Sequence, residues 1–381
     1  MYEIAERFPH HIIYEKTAPF VSLYQPTHKA GPEKQQNALV FRKLLKEAEQ
    51  ALEDKFPDVN TEKLLEPVYE LEQDRPFWRT VDEGLALFAT EKSCVIYKLS
   101  RPVKETAVAG DRPHISPLIR VFQSADYYQL LGLNMHTFSL FEGNRYGFKE
   151  VALPADVART KKDVIGDQPT ESHIDKGSFG GSGGSGGSYF GQGGKKDEID
   201  KDTEKFFRFV DRYVTENHSK KTQLPLILAA VKEHHGHFRK ISSNPYLMDE
   251  GVKSAYDSMD AHEMTKRVWE IIEPLYLEKT KKLVETFENA RANGSGSPHL
   301  EEIAAAAVEN RLAHILIEDD RVVPGNVDTS TGEVIGGSEE NHGGSDILGD
   351  LTELAFKKSV PLVVLPKERM PVDTGAAAVF R

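Results

Sequence analysis

Apolar positions in the first 124 residues alternate between an extended and a helical pattern. A strand-like run at 20–24 precedes a helical run in which apolar residues recur at i, i+3, i+4, i+7 and i+11. This spacing places the apolar residues on one buried helix face. They are Phe41, Leu44, Leu45, Ala48 and Leu52. Two runs rich in β-formers, 84–89 and 93–99, flank a short polar gap and predict a hairpin. Residues 1–124 are therefore predicted to form an N-terminal α/β domain.

The middle segment, 125–292, begins with extended patterns and ends with a long helical one. Runs at 127–133, 135–141 and 148–153 predict successive antiparallel strands, with a turn at 142–144. A glycine-rich run at 177–194 precedes a helix at about 199–217, a buried strand at 224–231 and a helix at 261–292. Glycine loses more conformational freedom on ordering than any other residue, so we predict that 177–194 is a mobile loop.

The third segment, 293–381, follows a break of glycine, serine and proline at 293–298. Helical patterns at 300–310 and 345–358 alternate with strands at 313–317, 361–365 and 376–380. This alternation predicts a small α/β sandwich as a third domain.

Composition narrows the class of protein. Of the 381 residues, 39% are hydrophobic and 28% charged, which is typical of a globular protein, and no apolar run is long enough to span a bilayer. The first residues lack a signal-peptide pattern, and the single cysteine, Cys94, is expected to be a buried core residue, so we expect a cytoplasmic location and no membrane partner. A formal net charge of −12 means that any contact with RNA must be local.

Several runs, taken in order, resemble the archaeal and eukaryotic class-1 peptide-chain release factors and Pelota. They are 128–133 with 140–144, 205–212, 225–230, 310–317 and 373–381. The pattern is similar to that of a bacterial family of release-factor relatives. The resemblance implies an α/β protein of three domains: the N-terminal module, an RNase H-like middle domain and a Pelota C-terminal-like α/β sandwich. It also implies the ribosome, tRNA and rRNA as partners, a translational GTPase as a further one, and no cofactor.

Release factors carry a Gly-Gly-Gln tripeptide on a loop of the middle domain, and the resemblance implies an equivalent in the glycine-rich run. Its one glutamine is Gln192, within Gly191-Gln192-Gly193-Gly194. The residue before Gly191 is Phe190 rather than glycine, and Gln192 precedes Phe206 by 206 − 192 = 14 positions, a longer spacing than is usual in the family. The four residues are the catalytic candidates, and a flexible linker is the alternative. Nucleotide binding is disfavoured, because the run matches Gly-x-Gly-x-x-Gly only by its low complexity.

Cations recur on the helix that follows the loop. Lys201, Lys205, Arg208 and Arg212 fall at i, i+4, i+7 and i+11, after Lys195 and Lys196. One stripe of positive charge could bind RNA phosphates. Asp202, Glu204 and Asp211 dilute it, so a solvated helix face is the alternative.

His28 and Lys29 lie in the loop after the first strand and are also candidate RNA contacts, although capping and solvation would explain them equally. The Asn-Ile-Lys-Ser loop of stop-codon readers is absent from the sequence, so we expect rescue of stalled ribosomes rather than normal termination. His234, His235 and His237 are expected in a surface loop, without a metal.

Three functions remain open from the sequence. The first is a factor that assists peptidyl-tRNA hydrolysis on stalled ribosomes. The second is a rescue or hibernation factor that binds ribosomes without catalysis. The third, an RNA-processing enzyme of RNase H-like fold, is disfavoured because residues 127–141 contain no cluster of carboxylates to hold magnesium.

Overall fold

The computed structural model describes residues 1–5, 8–15, 17–29, 31–123, 125–166, 193–336 and 346–381, with 193–199 described by their backbone alone. Elements of the first segment are β1 (Glu3–Ile4), β2 (Phe20–Pro26), α1 (Asn37–Lys55), α2 (Thr61–Gln73), α3 (Arg75–Arg79), β3 (Gly84–Ala89), β4 (Cys94–Leu99), β5 (Thr106–Gly110) and α4 (Ser116–Phe122). The predicted first strand, the helix and the hairpin are confirmed, and the five spaced apolar residues of α1 are all buried.

The middle segment follows in the predicted order. Its elements are β6 (Tyr128–Leu133), β7 (Phe138–Asn144), β8 (Gly147–Glu150), α5 (Lys161–Ile165), α6 (Gly193–Val214), a π-helical turn (Thr215–Ser219), α7 (Lys220–Thr222), β9 (Leu226–Ala229), α8 (Lys232–Ile241) and α9 (Ala261–Ala292). The predicted turn at 142–144 is wrong, because β7 continues through Asn144 and the chain reverses at 145–146. Asn144 pairs with Gly147, so a two-residue turn connects β7 and β8. This turn keeps residues 142–144 paired with β8.

The last segment confirms the predicted alternation and adds a hairpin. Its elements are β10 (Gly296–Ser297), α10 (Leu300–Val308), β11 (Leu312–Glu318), β12 (Gly325–Val327), β13 (Val334–Gly336), α11 (Ile347–Lys357), β14 (Leu362–Leu365) and β15 (Ala376–Phe380). Strands β10, β15, β11 and β14 form one sheet in that order, while β12 pairs with β13.

The chain is a mixed α/β protein with two compact units. One unit combines residues 1–125 with 275–381, and the other contains 126–274. In the first unit, one hydrophobic cluster contains residues of the first sheet and its helix α4 together with residues of α10, β11 and α11. The division into domains at 1–124, 125–292 and 293–381, and the RNase H-like and Pelota-like descriptions of two of them, stay predictions.

Buried ion pairs connect the two segments of the first unit. Arg101 donates to both carboxylate oxygens of Asp319 at 2.8 Å, and Arg120 donates to Asp346 at 3.0 Å. All four side chains are at most 18% exposed. Because a buried charge is costly unless it is paired and hydrogen-bonded, these pairs constrain how the segments pack.

Cys94 is buried in another hydrophobic cluster of this unit, as predicted, and burial raises its pKa to about 12. The thiol therefore stays protonated and behaves as a small apolar side chain. No helix among the described stretches is long and apolar enough to cross a bilayer.

The second unit is built on one mixed sheet. In the described part of the chain its strand order is β8, β7, β6, β9, with β6 parallel to β9 and antiparallel to β7. Helix α6 covers one face through Phe206, Phe207, Val210 and Val214, all of them fully buried. The other face packs against α9 through Val268 and Ile272. Both faces of the sheet are thus covered, which explains why β6 and β9 are buried along their whole length.

Candidate nucleic-acid interface

The predicted catalytic residues lie at the edge of what the structure describes. Gly191 and Gln192 fall outside the described residues, whereas Gly193 and Gly194 begin helix α6. The predicted helix start near residue 199 is therefore wrong by about two turns. The residues that follow the two glycines are lysines and acids, which favour a helix enough to extend it, and glycine costs less at a helix end than inside it.

The segment before the loop is tied to the connection between β6 and β7. Helix α5 begins with a capping box, in which Thr160 and Asp163 each bind the other's backbone N–H. The N–H of Lys161 donates to the carbonyl of His136 at 2.7 Å. Only the short helix α5 therefore separates residue 166 from the hydrogen bond between Lys161 and His136.

The segment after the loop is tied to the same place. The ammonium group of Lys161 donates to the hydroxyl of Thr203 on α6 at 3.0 Å. Strands β6 and β9 are parallel and end at Leu133 and Ala229, so their carboxyl ends meet at this edge of the sheet. Ligand sites of open α/β sheets lie at such edges. Helix α5, before residues 167–192, and Thr203 of α6, after them, are thus bonded to each other near this edge of the sheet.

The four predicted cations of α6 are all exposed. Lys201, Lys205, Arg208 and Arg212 point away from the buried face that Phe206 and Val210 form. Two of them have local partners: Lys205 lies 3.5 Å from Asp202, and Arg208 donates to Glu204 at 2.7 Å. Pairs of this kind on a helix surface contribute only about 0.3–0.5 kcal/mol each, so a phosphate could displace the carboxylates. We name these four residues the α6 stripe.

One of the acids expected to dilute the stripe is almost completely buried. Asp211 is 5% exposed and accepts hydrogen bonds from the hydroxyl of Ser242 and from the N–H of Ser243 at 2.9 Å. Its carboxylate thus points into the protein and binds the residues that follow α8. The α6 stripe is therefore more positive at its surface than the sequence indicates.

Helix α8 lies beside α6 and adds cations that sequence reasoning did not connect with the stripe. The ring of Phe207 contacts those of His234, His237 and Phe238 edge to face. The exposed lysines of α8 are Lys232 and Lys240. A groove next to its end is lined by Arg208, Arg212 and Lys220 together with Asp211, Thr215 and Glu216. The packing of α8 on α6 thus places Lys232 and Lys240 on a helix next to the stripe, which no spacing in the sequence could have shown.

The histidines at 234–237 are not in a surface loop, and that prediction is wrong. They lie on α8, because Gly236 does not interrupt a run of otherwise helix-compatible residues. His235 is buried, its Nε2 lies 2.9 Å from the carbonyl of Val252, and burial lowers its pKa. A neutral, hydrogen-bonded histidine of this kind supports the packing of α8 on the chain around Val252.

The loop with His28 and Lys29 is held from within. The Asn37 side chain accepts from the N–H of His28 and donates to its carbonyl, both at 3.0 Å. The ammonium group of Lys34 donates to the carbonyl of Lys29 at 3.1 Å. Both predicted side chains remain exposed, with Lys29 3.9 Å from Asp82. The backbone is fixed while the side chains stay accessible, and an RNA contact there stays a prediction.

Comparison with known proteins gives a family match for the middle of the chain. Residues 127–311 match the Bacterial archaeo-eukaryotic release factor family 3. This segment of the chain is similar to that group of release-factor relatives. The match covers the whole middle sheet, α5, α6 and α8, and thus both sides of the loop. No curated protein matches the chain.

Solved structures give a distant likeness. The archaeal translation termination factor aRF1 is 14% identical over 97% of this chain and 95% of its own, with a TM-score of 0.28. The Pelota of a ribosome-bound archaeal Pelota and ABCE1 assembly is 15% identical over 74% of this chain and 72% of its own, with a TM-score of 0.40. Pelota of Archaeoglobus fulgidus is 14% identical over 69% and 67%, with a TM-score of 0.26. No residue correspondence follows from values this low.

Proposed function

We propose that the chain is a ribosome-associated translation factor that assists hydrolysis of peptidyl-tRNA on stalled ribosomes. The match of residues 127–311 to a release-factor family supports the class of function. The observation that carries the role of the run is its anchoring: Lys161, shortly before it, hydrogen-bonds to His136 at the carboxyl edge of the middle sheet and to Thr203 of α6, the helix that follows it. A segment whose flanking elements are fixed to a sheet can be carried to a target by the whole protein.

Glycine and glutamine suit the chemistry that we assign to Gly191, Gln192, Gly193 and Gly194. Glycines have no side chain, so the backbone can enter a crowded site that consists of RNA. Water attacks the ester carbonyl that joins the peptide to tRNA, and the ester C–O bond breaks to leave a free peptide and a tRNA hydroxyl. The amide of Gln192 would hold the water and stabilise the developing oxyanion.

The α6 stripe would supply the electrostatic contact with tRNA or rRNA. Its four cations lie on the helix that begins where the loop ends, so a phosphate contact there would help to position the loop. We assign Lys195 and Lys196, at the start of the same helix, to this contact as well. The ribosome, tRNA and rRNA are thus the proposed partners, with a translational GTPase as a further one.

Release of labelled peptide from purified ribosomes that hold peptidyl-tRNA tests the proposal. We expect Gln192→Ala and deletion of 177–192 to abolish release while both variants still sediment with ribosomes. The deletion ends before α6, so the stripe remains. The matched control is Gln50→Ala, an exposed glutamine of α1 that should leave release unchanged. Release by both loop variants at the wild-type rate would refute the catalytic role.

A second candidate is a factor that occupies ribosomes without hydrolysis. The exposed α6 stripe favours it, because phosphate binding does not need Gln192. Binding without release by the wild-type protein would select this function over the first. Neither binding nor release would exclude both.

Salt dependence tests the stripe. Replacement of Lys201, Lys205, Arg208 and Arg212 by glutamine should reduce the slope of log affinity against log salt by about 3 to 4, if all four meet phosphates. Lys279, Lys281 and Lys282 of α9 are exposed helical lysines, and their replacement by glutamine is the matched control. A slope that is equally reduced in both variants would show that the stripe has no special part in RNA binding.

A further inference from the structure

The first unit contains a cavity that the proposed function does not use. Its volume is about 440 Å³, within the range of small-molecule sites. The cavity lies along the outer edge of β5, beside α1, the start of α4 and the connection at 319–324. It belongs wholly to residues 1–125 and 275–381 and is remote in sequence from the glycine-rich loop.

The pairing of β2 determines which backbone groups of β5 face outward. Thr27 donates to Glu83, which extends the β2–β3 ladder, so the odd-numbered residues of β2 bond to β3. In an antiparallel ladder, alternate residues bond to opposite neighbours. The even-numbered residues of β2 therefore bond to β5, at Thr106, Val108 and Gly110. Ala107 and Ala109 direct their N–H and C=O groups away from β2.

These two outward residues differ. The carbonyl of Ala109 accepts from the ammonium group of Lys55 at 3.1 Å. Ala107 lines the cavity, and the described residues provide no hydrogen-bond partner for its N–H or C=O. An added peptide strand needs a row of free groups along an edge. With Ala109 already bonded, β5 has room for one amide-like group rather than for a strand.

Charges in the cavity wall balance one another. Arg101 pairs with Asp319, Arg120 with Asp346, and Lys43 with Glu105 at 3.1 Å. Glu47, Lys104 and Asp320 complete the charged lining, which then contains four cations and five acids. Three of the four cations are thus held by carboxylates, and Lys104 donates to the backbone carbonyl of Asp320. The lining therefore favours an uncharged ligand.

Other wall groups offer neutral hydrogen bonds and apolar contact. His114 and Ser116 both line the cavity, and burial lowers the pKa of His114 to about 4, so its imidazole is a neutral donor and acceptor at pH 7. Leu44, Val103, Pro117, Val322 and Pro324 provide an apolar lining. Flat apolar faces with a polar edge would match this surface.

We propose that this cavity binds an uncharged heterocycle with a lactam edge, the chemical class of nucleosides such as uridine and inosine. The ring carbonyl would accept from the N–H of Ala107, and the ring N–H would donate to its C=O. The ring faces would lie against the apolar lining, with His114 or Ser116 at the remaining polar atoms. This inference is independent of any action on ribosomes.

Calorimetric titration of the full-length protein with uridine and inosine, without ribosomes, tests the site. We expect saturable binding, and binding weaker by about tenfold or more for uridine methylated at its ring N–H, which cannot donate to Ala107. Selective ¹⁵N labelling of alanine should show a shift of one amide signal, assigned as the signal that Ala107→Gly removes. The shift is measured on the wild-type protein, so it does not depend on a substitution that alters the cavity.

Two tryptophan substitutions provide a matched pair. Val322 lines the cavity and Ile335 does not, yet both are 56% exposed. Val322→Trp should weaken nucleoside binding by tenfold or more, while Ile335→Trp should leave it unchanged. The proposal fails if neither nucleoside binds at millimolar concentration, if the methylated nucleoside binds as well as uridine, or if a peptide amide binds in its place.

Discussion

One arginine from each unit shows what determines how much an ion pair contributes to stability. Arg120 of the first unit is 8% exposed and pairs with Asp346, more than two hundred residues away in sequence. Arg208 of the second is 59% exposed and pairs with Glu204, one helical turn before it. Both donate to carboxylates at 3.0 Å or less. Distance alone therefore does not distinguish them, and burial does.

The difference follows from solvent. Water and salt screen the charge of Arg208. Removal of this arginine therefore costs little stability, because the carboxylate of Glu204 remains solvated. The carboxylate of Asp346 is 10% exposed and would remain uncompensated in a poorly solvated site without Arg120. Buried pairs thus support the structure, whereas exposed pairs leave cations available for a partner.

The largest effect is expected for Arg120→Ala. It should lower the free energy of unfolding by about 3–5 kcal/mol, because it leaves Asp346 buried and unpaired. Urea unfolding of the full chain measures this, with Asp346→Asn and the double variant completing a cycle. A loss below about 1 kcal/mol would show that the pair is no stronger than a surface pair.

A smaller effect is expected from pH at His114. Its pKa is about 4 in the folded protein, against about 6.5 for an unfolded histidine. As pH falls from about 6.5 to about 4, the unfolded chain takes up a proton that the folded protein does not, so stability falls by up to about 3 kcal/mol. Burial also lowers the pKa of His218, His234, His235 and His314.

Comparison with His114→Gln isolates the contribution of His114. Urea unfolding at a series of pH values should show a shallower loss of stability on acidification in this variant than in the wild type. An identical pH dependence for the two proteins would mean that His114 is not buried in solution.

The smallest effect is expected for Arg208→Ala. It should change the free energy of unfolding by no more than about 0.5 kcal/mol, because its pair with Glu204 is exposed and local. The measurement is urea unfolding at low and high salt. A loss above about 1.5 kcal/mol would erase the contrast with Arg120 and assign the stripe a structural role.

Local patterns predicted most of the elements. The apolar spacing of α1 and the long helical pattern of α9, which continues across Pro274, were sufficient, because each helix buries a regular face. The strand β5 was missed because its sequence, Thr-Ala-Val-Ala-Gly, consists mostly of small residues without a clear alternation. The β12–β13 hairpin was missed because its strands are only three residues long.

Long-range features could not be predicted from the same patterns. Nothing local at Arg101 or Arg120 indicates a partner more than two hundred residues away. The shared core of the first and last segments has the same origin, since apolar spacing shows which face is buried and not what covers it. For the candidate site, the stripe of cations followed from spacing, but the inward turn of Asp211 required the fold.

The π-helical turn after α6 has a consequence for how the chain tolerates changes in length. Ser219, in this turn, donates to Gln129 of β6 at 3.3 Å and accepts from Asn244 at 3.0 Å, so the far end of the turn is fixed to the sheet. A π turn contains more residues than an α turn of the same helix. We therefore expect residues 215–219 to tolerate the insertion or deletion of one residue. Such a change would alter the π turn and leave the orientation of the α6 cations relative to the sheet unchanged.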